Sequence, residues 1–259
     1  MQSDYESIKP VVMDSDPGNP AKPKNKLSKR TLTAAVLILL VIPATIALGV
    51  FVLDDRKYYF ISLLIILYTM IPFVMVFEHR KPQAREIIVI AVLAAIAVAG
   101  RSVAFMLPQF KPVIALVIIA GVCFGGEAGF LVGAVTGFVS NFFFGQGPWT
   151  PWQMFCFGMI GFLAGVLFSK GMLHRKKLSL CVFGALATIF IYGGIMDTAN
   201  VLIYQGYLTK SLLLASYVSG FWFNIMHAVS TVVFLLILSG PMIEKLERIK
   251  IKYGLIEPL

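Results

Sequence analysis

Long apolar runs separated by short polar stretches are the dominant pattern of this chain. Most of these runs approach the roughly 20 residues that a helix needs to cross a bilayer. The pattern therefore predicts an all-α polytopic membrane protein. The apolar segments lie at residues 31–53, 58–77, 87–107, 113–124, 128–144, 151–169, 178–196 and 216–240.

One of these segments is too short for an untilted span. Residues 113–124 number only 12, and Gly125, Gly126 and Glu127 separate them from the next segment. We expect a short or broken helix followed by a turn. Such interruptions are common near transporter binding sites, but a re-entrant or kinked packing helix gives the same pattern.

Composition agrees with a membrane protein and excludes other classes. Hydrophobic residues make up 58% of the 259 residues and charged residues 14%, whereas soluble domains carry about 25% charged residues. A soluble enzyme, a disordered protein and a disulfide-rich secreted scaffold are thereby excluded. The three cysteines, Cys123, Cys156 and Cys181, lie in apolar runs without metal-ligand spacing, so we expect packed thiols and no metal site.

Basic residues predict the orientation. If residues 1–30 form a disordered cytoplasmic tail, the eight segments leave 17 Lys and Arg residues on the inner side and four in the outer loops. This distribution satisfies the positive-inside rule and explains the net charge of +9 without nucleic acid. We expect a multi-pass protein of the cell membrane with both termini in the cytoplasm.

Small residues recur every four positions in three helices. Ala91, Ala95 and Ala99 form one ladder, and the others are Gly129, Gly133 and Gly137, and Gly161 and Gly165. Small residues let helices approach closely in lipid. Each ladder is therefore either an internal packing surface or a surface for another membrane subunit.

The segment SNFFFGQGPWTPWQM carries the strongest indication of a ligand. Trp149 and Trp152 have the positions of aromatic anchors at the membrane interface. Polar side chains nevertheless surround them, and flat rings beside amide groups suit a planar organic ligand. The candidate polar residues are Asn141, Gln146, Thr150 and Gln153.

Ionisable residues inside the membrane are functional candidates because they are costly to bury. Arg101 lies in the outer third of its segment, Asp197 lies at the outer end of another, and His227 lies within the last. A lone histidine in a membrane helix is more often a packing residue than a ligand contact, and snorkelling to the surface is the alternative for Arg101. We expect Trp149, Gln146, Asn141, Trp152 and Asp197 to line one outward cavity beside Arg101, with residues 197–215, including Asn200, as a loop that acts as a lid.

The chain shows no catalytic motif. It contains no zinc-protease, nucleophile-elbow, phosphate-loop or dinucleotide-binding pattern. We therefore expect no enzymatic activity and no cofactor.

Residues 86–245 resemble the substrate-binding S component of an energy-coupling factor (ECF) transporter. The resemblance rests on six core helices, the Ala91–Ala95 ladder, the short second core helix, and the Gly-Gln-Gly-Pro-Trp segment at 145–149. That last segment is similar to a subgroup associated with cobalamin-type uptake. Family members usually have six helices, so residues 31–85 are interpreted as two extra helices and a basic linker, and 246–259 as a cytoplasmic tail.

The resemblance implies that the chain binds a vitamin on its outer side and delivers it inward by toppling when partner subunits use ATP. The implied partners are a transmembrane coupling subunit, which would contact Ala91, Ala95 and Ala99, and two cytoplasmic ATPases. A corrinoid such as cobalamin is the expected substrate. Riboflavin, folate or a deazapurine is the alternative within the family, and a membrane scaffold without a ligand is the alternative outside it.

Overall fold

Helices account for nearly all of the residues that the computed structural model describes, namely 29–52, 58–75, 84–103 and 109–253. Two π-helical segments, Leu37–Val41 and Ala187–Gly193, each join two helices into a continuous rod. The α-helices are α1 (Lys29–Val36), α2 (Ile42–Val52), α3 (Tyr58–Met75), α4 (Ala84–Val103), α5 (Val113–Phe124), α6 (Gly126–Phe144), α7 (Trp149–Ser169), α8 (Lys177–Leu186), α9 (Gly194–Gln205) and α10 (Lys210–Tyr253).

The predicted all-α membrane architecture is confirmed. Within the described residues, five helices are long and apolar enough to cross a membrane, and the apolar stretches Ile87–Ser102 and Val113–Phe124 are shorter. Residues 1–28 of the predicted tail, 76–83 around the basic linker, 104–108 and 254–259 lie outside the described residues. The predicted domain boundaries and the orientation of the termini stay predictions.

Helix α5 lies at the centre of the bundle. All twelve of its residues are buried, and α4, α6, α7 and α10 pack around it. It ends at Gly125, whose φ of 93° lies in a region that side chains rarely adopt. Helix α6 begins at the next residue, so the predicted break and turn are present.

Glycines bring the backbones of α5, α6 and α7 into direct contact. A Cβ atom placed on Gly161 would lie 2.3 Å from the carbonyl oxygen of Gly129, and one on Gly121 would lie 2.2 Å from that of Gly161. Both distances are far below van der Waals contact. The two glycine ladders are therefore internal packing surfaces, which is how small residues act in membrane helices.

The alanine ladder has a different environment. Ala91, Ala95 and Ala99 are exposed on α4, whereas Leu93, Ala94 and Ala97 of the same helix are buried. The ladder thus faces away from the bundle and remains open to lipid or to another protein.

Helices α1 to α3 pack against α6 and α7. Ile38, Ile42, Ile46 and Ile65 of these helices are buried in one apolar cluster with Phe130 of α6 and with residues of α7. The two N-terminal rods are therefore integral to the bundle.

The predicted loop over residues 197–215 is wrong. Helix α9 continues to Gln205, α10 begins at Lys210, and only four residues connect them. The break occurs at Gly206, whose left-handed φ of 74° ends α9. Asn200 therefore lies on a helix, and the described connection is too short to be the expected lid.

The far end of α10 is held against the end of α5. Lys250 is buried and its Nζ donates to the carbonyl oxygen of Cys123 at 3.1 Å. A cation there complements the negative end of the α5 dipole. Glu247 lies 3.6 Å from Lys250 and pairs with Arg175 at 2.9 Å.

Gly161→Ala is expected to destabilise the protein strongly, because its methyl group would collide with the backbone of α6. Overpacking costs about 1–3 kcal/mol, and backbone atoms yield less than side chains. We expect a loss of about 2–3 kcal/mol in the free energy of unfolding, seen as a lower melting temperature in detergent. The matched control is Gly194→Ala, because no atom lies within 4 Å of its added Cβ. Equal melting temperatures for the two variants would contradict the packing account.

Candidate functional site

Arg101 organises a polar network at one end of the bundle. Its guanidinium lies on α4 and donates from Nη1 to Ser140, to Asn141 Oδ1 at 2.8 Å and to Gln153 Oε1 at 3.5 Å. A charge within an apolar bundle is stable only when it is well hydrogen-bonded. These three acceptors come from the adjacent ends of α6 and α7, which the glycine contacts hold together.

Phe144 carries two cations on its ring. The Arg101 guanidinium carbon and the Lys111 Nζ each lie 4.5 Å from the ring centroid, a favourable cation–π geometry. Burial lowers the pKa of Lys111, and the Arg101 charge lowers it further. The positive charges of Arg101 and Lys111 therefore both interact with the Phe144 ring.

The segment between α6 and α7 is fixed by its own polar side chains. Thr150 is fully buried; its hydroxyl donates to Gln146 Oε1 at 2.9 Å and accepts from Asn141 Nδ2 at 3.0 Å. The Gln146 amide also donates to the Phe138 carbonyl at 2.9 Å. These three predicted ligand contacts therefore hold the turn in place.

The two predicted tryptophans lie in different surroundings. The Trp149 ring covers Gly147, where an added Cβ would lie 2.4 Å from the indole. Trp152 packs against the apolar cluster shared with the N-terminal helices. Neither lines the cavity described below.

Tyr192 connects the Arg101 network to the other half of the bundle. Its hydroxyl accepts a hydrogen bond from Gln153 Nε2 at 3.0 Å. Its ring stacks on Phe157, with centroids 5.2 Å apart, and meets His227 edge-on at 4.7 Å. His227 is buried behind this ring, and its Nδ1 has no hydrogen-bond partner within the described part of the chain. Tyr192 lies in a π-helical segment, a feature that often occurs at functional sites.

A cavity of about 420 Å³ lies between α9 and α10, next to Tyr192. Its wall combines carboxamides, hydroxyls and one carboxylate with two apolar side chains. The lining residues are Gln109, Tyr192, Met196, Asp197, Asn200, Ser216, Ser219, Gly220, Phe223 and Asn224.

Asp197 and Asn224 form the polar centre of this wall. Asn224 Nδ2 donates to Asp197 Oδ2 at 2.8 Å across the two helices. Two glycines make the approach possible: a Cβ on Gly220 would lie 2.6 Å from the Asp197 carboxylate, and one on Gly193 would lie 2.7 Å from the Asn224 amide. The Ser216 hydroxyl donates to the Asp197 carbonyl at 2.8 Å.

The predicted site residues thus fall into two groups that Tyr192 joins. Asp197 and Asn200 line the cavity, and Arg101 with its amide and hydroxyl partners lies behind it. Asp197 pairs with Asn224, and Arg101 pairs with neutral acceptors, so these two charged residues do not form an ion pair with each other within the described structure. No cluster of His, Cys, Asp or Glu in the described ranges has the arrangement of a metal site.

Sequence reasoning missed most of the α10 side of the cavity. Ser216, Gly220 and Asn224 recur every four residues and therefore share one face of α10. This row of polar and small residues in an otherwise apolar helix could have indicated the cavity wall from the sequence.

A family model matches most of the chain. Residues 81–244 match the family described as the ECF-type riboflavin transporter, S component. No solved structure matches the chain.

Curated relatives are similar over a shorter stretch. A UPF0397 protein of Vibrio atlanticus is 29% identical over 121 residues, which cover 44% of this chain and 66% of that protein. Those of Aliivibrio salmonicida and Aliivibrio fischeri are also 29% identical, covering 51% and 43% of this chain and 70% and 67% of theirs. The chain spans about two thirds of the length of these relatives.

Gln153→Leu is expected to destabilise the protein, because it leaves a buried polar network with missing partners. It removes the bond to Tyr192 and one acceptor of Arg101. An unsatisfied buried polar group costs about 1–3 kcal/mol, and we expect that loss in the free energy of unfolding measured in detergent. Gln205→Leu, at an exposed position, is the control. If both variants melt like the parent protein, Gln153 does not support the network.

Proposed function

Because the chain belongs to the ECF-type riboflavin transporter S component family, we propose that it captures a vitamin-sized nutrient for an ECF importer. The observation that carries this proposal is the cavity between α9 and α10. It combines a small number of placed polar groups with apolar surface, as ligand sites do. ATP-driven uptake then belongs to partner subunits.

The cavity volume favours a small substrate. Pockets for drug-sized ligands range over about 300–1,000 Å³, and 420 Å³ lies near the lower end of that range. A flavin or another compact heterocycle is commensurate with this space. The corrinoid that the sequence favoured is far larger, and it would require α9 and α10 to separate.

The polar wall supports a hydroxylated or amide-bearing ligand. Asn200 and Gln109 offer both donors and acceptors, and Ser216 and Ser219 offer hydroxyls. Phe223 and Met196 supply apolar surface for a ring. The cavity also favours capture over the scaffold alternative, because a purely structural bundle has no need for a polar void.

The first test is direct binding to the purified protein. We expect riboflavin, as the family probe, to bind saturably in calorimetry and cobalamin to give no heat at the same concentrations. Asn200→Ala should weaken binding about three- to tenfold, because one hydrogen bond contributes about 0.5–1.5 kcal/mol.

Tyr204→Ala is the matched control, since Tyr204 is exposed on the same helix and does not line the cavity. Folate and a deazapurine complete the panel. If a properly folded sample binds none of these compounds, the capture function fails. Tight cobalamin binding would restore the corrinoid assignment.

The exposed alanine ladder supports a second part of the proposal, association with a membrane partner. Ala91, Ala95 and Ala99 present small side chains on one face of α4 that the bundle leaves uncovered. Helices in lipid associate through such close-packing faces. We propose that this face contacts the transmembrane coupling subunit, which in turn carries two cytoplasmic ATPases.

Ala95→Trp is expected to abolish co-purification of the coupling subunit from native membranes while leaving ligand affinity unchanged. The bulky ring would hold a second helix away from α4. Val182→Trp, at an exposed position on α8, is the control. Normal partner recovery with Ala95→Trp would exclude this face as the contact.

A further inference from the structure

We infer that the α9–α10 cavity selects its ligand by charge, admitting neutral and cationic molecules and excluding anionic ones, with Asp197 as the discriminating residue. This inference rests on the proposed capture function and names the substrate class of the same site. In practice, the free vitamin would be bound and its phosphate ester rejected.

The composition of the cavity wall disfavours an anionic ligand. Among the ten described lining residues, Asp197 is the only one that carries a formal charge, and no Lys or Arg is present. A phosphate or carboxylate group in this space would meet one negative charge and no cation. Phosphate sites in proteins instead present Arg, Lys or a helix N-terminus.

The hydrogen bonds of Asp197 leave one of its carboxylate oxygens available to a ligand. Asn224 donates to Oδ2, and within the described residues no hydrogen bond to Oδ1 is present. Asp197 is 6% exposed, so its charge is poorly screened by water. The Oδ1 atom therefore retains its capacity to accept from a ligand hydroxyl, amine or protonated ring nitrogen.

The nearby cations Arg101 and Lys111 do not line the cavity. Arg101 is turned toward Ser140 and Asn141, and both Arg101 and Lys111 lie on the Phe144 ring. Gln153 and Tyr192 stand between Arg101 and the cavity wall. The charges of Arg101 and Lys111 are thus engaged by groups other than those that line the cavity.

The test measures the cavity potential without requiring the ligand to be known. Ser219→Cys places a thiol in the cavity wall, and the native cysteines are buried. Two methanethiosulfonate reagents, one carrying a trimethylammonium group and one a sulfonate, are added outside intact cells. Gln205→Cys is the reference, because it lies two turns from Asp197 and outside the cavity, beyond the Debye length of about 8 Å.

We expect the ratio of cationic to anionic labelling rates to be at least about tenfold higher at position 219 than at position 205. A single unit charge at short range in a partly screened site is sufficient for a difference of this size. Adding Asp197→Asn should bring the two ratios within about threefold, because it keeps an acceptor for Asn224 and removes the charge. The inference would be overturned if Ser219→Cys and Gln205→Cys showed equal ratios of cationic to anionic labelling. It would also be overturned if position 219 kept its preference for the cationic reagent after Asp197→Asn.

A ligand pair extends the test. Riboflavin and its 5′-phosphate share one ring system, so their affinity ratio isolates the phosphate. We expect at least about tenfold weaker binding of the phosphate, reduced by Asp197→Asn. If neither flavin binds but the labelling preference is present, the flavin assignment fails and charge selection stands. If riboflavin and its phosphate bind equally well, charge selection fails and capture stands.

Discussion

The direct contact of the α5, α6 and α7 backbones is the constraint on which the rest of the structure depends. Gly121, Gly129 and Gly161 place no side chain of their own in this contact, so the three helices approach to a distance that a larger residue at these positions would not permit. The C-terminal end of α6 and the N-terminal end of α7 then meet at a fixed register. Hydroxyl and amide groups from both helices consequently converge on one point at this end of the pair.

That convergence explains why an arginine is tolerated on α4. Its guanidinium needs acceptors that do not move, because a buried charge with a missing partner is costly. Asn141 and Gln153 supply these acceptors from two helices. Gln153 also donates a hydrogen bond to the Tyr192 hydroxyl and so fixes the position of that side chain. The wall of the cavity is therefore positioned by a network whose origin is the glycine contact.

The helices and the break between α5 and α6 were predictable from the local sequence. The cavity wall was not, because it depends on contacts between residues far apart in the chain. Apolar length predicted the helices, and Gly125 predicted the break, because both signals are contained in a few adjacent residues. The Asp197–Asn224 pair joins residues 27 positions apart and requires the π-helical segment and two glycines to bring α9 onto α10. The polar residues near 200 also suggested a loop, although Gly206 alone ends the helix.

The backbone contact of α5, α6 and α7 also determines where a ligand can fit. Close packing of α5, α6 and α7 leaves no space between them for a molecule, since even a methyl group at Gly161 would collide with α6. The described cavity lies elsewhere, between α9 and α10. Four residues connect these two helices, and Phe223 and Met196 are among the side chains that line the cavity. The tryptophans of the α6–α7 turn therefore lie beside the tightly packed half, and the cavity opens in the other.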